Sequence, residues 1–150
     1  MNASPNPTSL QLCAARVMDV IPAVMRCIHT EVRQQTSTCL TIPQLRALAF
    51  LQDNEGSSLA VLAEHLGVTS ASTSTMVDRL VQKEFVTRSE HPKLRRQVVL
   101  CLTTAGEEHL QQVRQLTCDR LADKLADLPT EQLSNLINGL EELSQIFISK

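Results

Sequence analysis

Five hydroxyl side chains crowd into six positions, at Ser70, Ser72, Thr73, Ser74 and Thr75, and two adjacent arginines, Arg95 and Arg96, follow some twenty residues on. Small hydroxyls lower helix propensity. A helix carrying so many is suited to close approach to something polar, where each can donate to or accept from phosphates and base edges, and where threonine methyls can meet thymine methyls. A solvated surface is the plain alternative, but Glu, Lys and Gln would serve that better. Between Thr69 and Thr103 lie six cations (Arg79, Lys83, Arg88, Lys93, Arg95, Arg96) against three anions (Asp78, Glu84, Glu90), a local charge of +3. The rest of the chain holds eight cations and thirteen anions, so the net charge of -2 hides a concentrated basic stretch. Such a stretch points to a polyanion. With aromatics at 2% and neither Trp nor Tyr, stacking on single-stranded nucleic acid is disfavoured.

The elements that position these residues can be read from periodicity. Leu10 to Val32 is a long amphipathic helix with a stripe of Leu10, Cys13, Val17, Val20, Val24 and Ile28, wider than the following segment can cover. Pro22 inside it predicts a kink or break. A second helix opens at Thr41, which has capping-box spacing to Gln44 and buries Leu45, Leu48 and Leu51. A turn around Gly56 leads to a short helix ending at Gly67, then to the hydroxyl-rich helix, capped by Thr69 or Ser70, with Val68, Met76, Val77 and Leu80 inward. Phe85–Arg88 and Gln97–Leu102 read as two strands, with Val98, Leu100 and Leu102 on one face, joined by a polar, basic loop too long for a tight hairpin. Thr104 and Glu107 have capping-box spacing for a helix to about Asp127 whose stripe includes Leu110, Val113, Leu116 or Thr117, Leu121 and Leu125. A last helix opens at Pro129 and Thr130 and presents Leu133, Leu136, Ile137, Leu140, Leu143 and Phe147.

The predicted fold is mainly α with a minor α+β element, a winged helix-turn-helix between helical arms. Its parts are a frayed tail over 1–9, an N-terminal dimerisation helix over 10–37, a DNA-binding winged helix-turn-helix over 41–103 and C-terminal dimerisation helices over 104–150, in one integrated domain. At 150 residues and 43% hydrophobic, the chain can bury one core.

The segments LTIPQLRALAFL, LAVLAEHLGVTSASTSTMVDRLVQKEFVTR, HPKLRRQVVLCLTTAGEEHL and LADLPTEQLSNLINGLEEL, in that order, resemble the MarR family of bacterial regulators over nearly the whole chain. The resemblance implies a homodimeric transcription regulator, most often a repressor, on a pseudo-palindromic operator, with the hydroxyl-rich helix in the major groove and the wing at the minor groove. The expected DNA-binding residues are Ser70, Ser72, Thr73, Ser74, Thr75, Arg79, Arg88, Lys93, Arg95 and Arg96. The expected dimer interface includes Leu10, Val17, Leu136, Leu140, Leu143 and Phe147. The wings of the family carry Asp, any residue, then Arg; here Leu94 stands at the Asp position and Arg96 at the Arg position, so Arg96 is less preorganised or Arg95 shares its task. The plain alternatives are that Arg79 pairs with Asp78 or Glu84 and that Arg95 and Arg96 are solvated.

The resemblance also implies release from DNA by a small aromatic or phenolic effector. Thiol-based redox sensing through Cys13 is the rival control, although the branch that uses such a thiol pairs it with tyrosines and this chain has none. Cys13, Cys27, Cys39, Cys101 and Cys118 are odd in number with no CxxC pair, which suits reduced thiols, mostly in core or interface, in a cytoplasmic protein. No metal or cofactor is expected, since the histidines form no HxxxH pair. GxSxG, HExxH, Gly-rich phosphate loops and GxGxxG are all missing, so no enzyme is expected. A winged-helix protein-interaction module is the other class; aromatic anchors would mark it. No apolar run approaches a membrane span, and the first residues lack a signal peptide's basic and apolar regions.

Overall fold

The computed structural model describes residues 6–35, 40–94 and 96–148. It divides into two compact units, 1–117 and 118–150. In the first, α1 spans Pro7–Gln35, so helix begins within the stretch expected to be a tail. The Asn6 carbonyl accepts from Ser9 N at 2.8 Å and its Oδ1 from Thr8 N at 3.3 Å, and a proline at the first helical position gives up no needed donor. Pro22 does not break α1: it removes a single rung, and the ladder continues on both sides. Only the far end of α1 joins the core, through Val32 and the half-buried Ile28.

Helix α2 (Ile42–Asp53) opens with the expected capping box: Thr41 Oγ1 accepts from Gln44 N at 3.3 Å, and Gln44 Oε1 accepts from Thr41 N at 2.9 Å. The sequence reads only a turn before the next helix. The structure adds a two-residue strand there, β1 (Ser57–Ser58), because Gly56 at φ 76° turns the chain so that Gly56 N reaches Leu100 O. Helix α3 (Leu59–Leu66) is capped by Ser58 and ends at Gly67, whose φ of 68° is the left-handed conformation glycine tolerates. Helix α4 (Ser70–Gln82) is capped by Thr69. Strands β2 (Val86–Glu90) and β3 (Val98–Leu102) pair antiparallel from Val86↔Leu102 to Glu90↔Val98, and β1 lies on the other edge of β3.

The core of this unit is Leu45, Leu48 and Leu51 from α2, Leu62 and Leu66 from α3, Val77 and Leu80 from α4, Val86 from β2, Leu100 from β3 and Val113 from α5 (Thr104–Leu125). Each such side chain contributes about 1.5–3 kcal/mol on full burial. Of the residues expected inward, Val68 and Val98 are instead exposed: Val68 sits in the turn before α4, and Val98 closes the wing at the sheet's tip, beyond the reach of the helices. On α5 it is Thr117, not Leu116, that is buried, its hydroxyl donating to Val113 O at 2.8 Å. The start of α5 is also capped differently than expected. Thr103, not Thr104, accepts from Gly106 N at 3.0 Å, and its own hydroxyl donates to Glu84 O at 2.6 Å. Gly106 is required here, because a Cβ would collide with the Phe85 carbonyl oxygen.

The second unit holds the end of α5 and α6 (Thr130–Phe147), with a turn in which Leu128 N donates to Leu125 O. No residue of α6 is buried. Among the described residues no helix is long and apolar enough to cross a membrane.

Candidate nucleic-acid interface

The hydroxyl-rich stretch is sorted by helical geometry into three faces. Thr73, Val77 and Leu80, at i, i+4 and i+7, point inward and are each 0% exposed. Thr73 is therefore a core residue and not a DNA contact, contrary to the expectation from its neighbours. Its methyl is buried, and its hydroxyl is spent on Thr69 O at 2.9 Å. Threonine suits that position because it fills a small apolar site and satisfies its own polar group on the preceding turn.

On a second face, Ser74 and Asp78 look toward β2. Arg88 reaches across, with Nη1 3.0 Å from Asp78 Oδ1 and Nη2 donating to Ser74 O at 3.3 Å and Ser74 Oγ at 3.5 Å. Arg88, expected on DNA, is thus first a brace between α4 and the root of the wing, and Ser74 is partly committed to it. Asp78 takes Arg88 rather than Arg79, which leaves the Arg79 side chain exposed and without an ionic partner among the described residues. The sequence hinted at this brace only in the i, i+4 spacing of Ser74 and Asp78; nothing in it placed Arg88 opposite.

The third face, Ser70, Ser72, Thr75 and Arg79, is exposed. Ser72 N donates to Thr69 Oγ1 at 3.2 Å, and Thr69 Oγ1 donates to Ser72 Oγ at 3.0 Å, so the Ser72 hydroxyl proton is left to donate outward. Thr75 donates to Ala71 O at 3.2 Å and so offers its methyl and a lone pair. The start of α4 adds the partial positive charge of a helix N-terminus.

The wing spans residues 91–97 between β2 and β3. Lys93, Leu94 and Arg96 are exposed on it, while Arg95 lies outside the described residues. His91 N donates to Gln97 O and Gln97 N to Leu94 O, both at 2.8 Å. His91 Nδ1 accepts from Lys93 N and Leu94 N, each at 3.1 Å. Nothing in the sequence marks His91 for this role, because a backbone acceptor needs neither a charge nor a metal-ligand spacing.

Away from this surface, Leu10, Leu136, Leu140 and Phe147 are exposed, and Val17 and Leu143 are half-buried. Cys13 and Cys118 are exposed and Cys27 and Cys101 half-buried, while Cys39 lies outside the described residues. Among the described residues no group of three His, Cys, Asp or Glu could hold a metal ion. His109 stacks on Phe85 with ring centroids 4.9 Å apart, and its Nε2 is buried without a partner among the described residues. Desolvation, and secondarily the charge of Lys83, hold its pKa below the ordinary histidine value.

A helix-turn-helix whose second helix presents small hydroxyls and an arginine, set beside a basic hairpin loop on a three-stranded sheet, defines a winged helix-turn-helix protein. Residues 40–98, the stretch that holds the helix-turn-helix and the start of the wing's return strand, match the model of the MarR family. The chain is similar to the uncharacterized HTH-type transcriptional regulator YfiV of Bacillus subtilis, 27% identical over 71% of this chain and 66% of that one. It is also similar to the HTH-type transcriptional repressor MdtR of the same organism, 28% identical over 71% of this chain and 68% of that one, so the match spans about two thirds of these relatives. The crystal structure of Rv1404 from Mycobacterium tuberculosis superposes with a TM-score of 0.76, 26% identity and 95% coverage of both chains.

Proposed function

We propose that this protein is a homodimeric regulator of transcription that reads duplex DNA through the outer face of α4 and the wing. The observation that carries this reading is the sorting of α4. Its inner face is locked into the core, one side is braced by Arg88, and the remaining face offers Ser70, Ser72, Thr75 and an unengaged Arg79 beside the exposed Lys93 and Arg96. A helix fits the major groove, where such groups discriminate base pairs, and arginine at a wing tip suits the narrow minor groove of A·T tracts. Arg95 is assigned with them from the sequence. The arms 10–37 and 104–150 serve dimerisation, through the exposed apolar residues of α1 and of α6, each covered by the second copy. A two-fold dimer sets two reading helices about one DNA turn apart, and the operator is then a pseudo-palindrome. Repression released by a small aromatic or phenolic effector is the control that the resemblance to MarR regulators suggests. Such an effector must bind the DNA-free state more tightly than the bound one.

Selection from a random duplex library, followed by anisotropy at several salt concentrations, tests this. The expected result is a pseudo-palindromic consensus. Arg79→Ala should weaken binding by about 1–3 kcal/mol, and Arg96→Ala should reduce the salt slope by about one. Thr73→Val, which keeps the buried shape, should leave base preference unchanged. No enriched sequence, with binding no tighter than about micromolar at physiological salt, would favour the protein-interaction module instead. Titrating phenolic acids into the preformed complex then searches for the effector.

A further inference from the structure

The wing loop, His91 to Gln97, holds three cations and no carboxylate. Cations that are to meet phosphates in a fixed register need an ordered loop, and here nothing acidic is available within it to provide the order. Two backbone bonds close the loop at its base and middle, from His91 N to Gln97 O and from Gln97 N to Leu94 O. The tip is held by the half-buried imidazole of His91, whose Nδ1 faces the N–H groups of both Lys93 and Leu94 at 3.1 Å. Pro92 makes this possible. It fixes its own φ and keeps His91 extended, so β2 runs straight to the ring and the chain then folds back over it.

Two converging donors define the chemical state of the ring. Nδ1 must present its lone pair, so the proton resides on Nε2. We infer that His91 is the positioning residue of the wing, its neutral imidazole accepting through Nδ1 the two amides that fix the tip and thereby the directions in which Lys93 and Arg96 leave the loop. For DNA affinity, this rests on the regulator reading above. For the order of the loop, it does not.

The test uses the full-length protein free of DNA. Long-range nitrogen–proton NMR of the labelled imidazoles should show His91 with a bare Nδ1 and a protonated Nε2. Exchange of the Lys93 and Leu94 amides should be slowed relative to an unstructured loop. Three substitutions separate acceptor position from bulk: His91→Asn places Oδ1 where Nδ1 stands, His91→Gln moves the acceptor one carbon outward, and His91→Leu removes it. Amide protection is expected to survive in the Asn variant and to be lost in the Gln and Leu variants. Binding to the selected duplex should be preserved by Asn and weakened about ten-fold by Gln and Leu. A protonated Nδ1 overturns the proposal, as does a Leu variant with protected amides. Lost affinity with unchanged protection also overturns it, since His91 would then touch DNA directly. If no duplex is bound by the unaltered protein, the regulator reading fails alone, and the tautomer and amide data still decide the brace.

Discussion

The inner face of α4 and the apolar face of α6 are written in the same helical period, and the folded chain treats them in opposite ways. Thr73, Val77 and Leu80 are wholly buried, whereas Leu136, Leu140 and Phe147 remain 42%, 52% and 69% exposed and nothing on α6 is buried. The pattern establishes that a face exists; it does not say which surface covers it. The winged unit finds its cover within one chain, from α2, α3, the sheet and α5. The stripe on α6 does not, and a large apolar surface of that kind marks an interaction site.

The sharpest way to break this contrast is to damage each face and ask what fails. Leu80→Ala opens a cavity in the buried cluster of the winged unit and should lower unfolding stability by about 2–5 kcal/mol in chemical denaturation. A smaller loss than about 1 kcal/mol would mean that the head is loosely packed. Leu140→Asp places a carboxylate on the α6 stripe. If a second copy covers that stripe, the dimer constant should weaken by about two orders of magnitude in sedimentation experiments, with the isolated fold retained. Unchanged association would show that α6 is not in the interface.

Much of this division was legible in the sequence. Order of elements, the capping box at Thr41, the stop at Gly67 and the basic wing follow from local chemistry that acts within a few residues. What escaped was non-local. Ser57–Ser58 become a strand only because β3 offers an edge. Thr73 looks like its hydroxyl neighbours until helix phase and the Thr69 carbonyl claim it. Arg88 counts as a free cation until β2 sets it against Asp78. Glu84 escaped as well. It carries a φ of 62°, a left-handed conformation at the end of α4, with Phe85 N donating to Leu80 O as the chain turns into β2. Glycine is the residue that position prefers. Glu84→Gly should therefore stabilise the winged unit by about 0.5–1 kcal/mol, the strain removed exceeding the added freedom of the unfolded chain. A destabilised variant would mean that the Glu84 side chain contributes more than its backbone costs.

The smallest expected effect is at His109, where the head's own packing makes a titratable group matter. Burial against Phe85, then the charge of Lys83, disfavour its protonated form in the folded state, so its folded pKa lies below its unfolded one. The unfolded chain then binds more protons as the solution is acidified. Stability is full above the unfolded value, about 6.5, and is lost as pH falls from there through the lower folded value, below which the slope vanishes. The chain carries other ionisable groups, so the informative quantity is a difference between proteins. His109→Phe keeps an aromatic ring beside Phe85 and removes the proton site. Its denaturation midpoint should fall less than that of the unaltered protein between pH 7.5 and pH 5.5. Equal losses in the two proteins would mean that the ring accepts its proton as readily when folded, and that the junction of Phe85 with α5 is open enough to hydrate it.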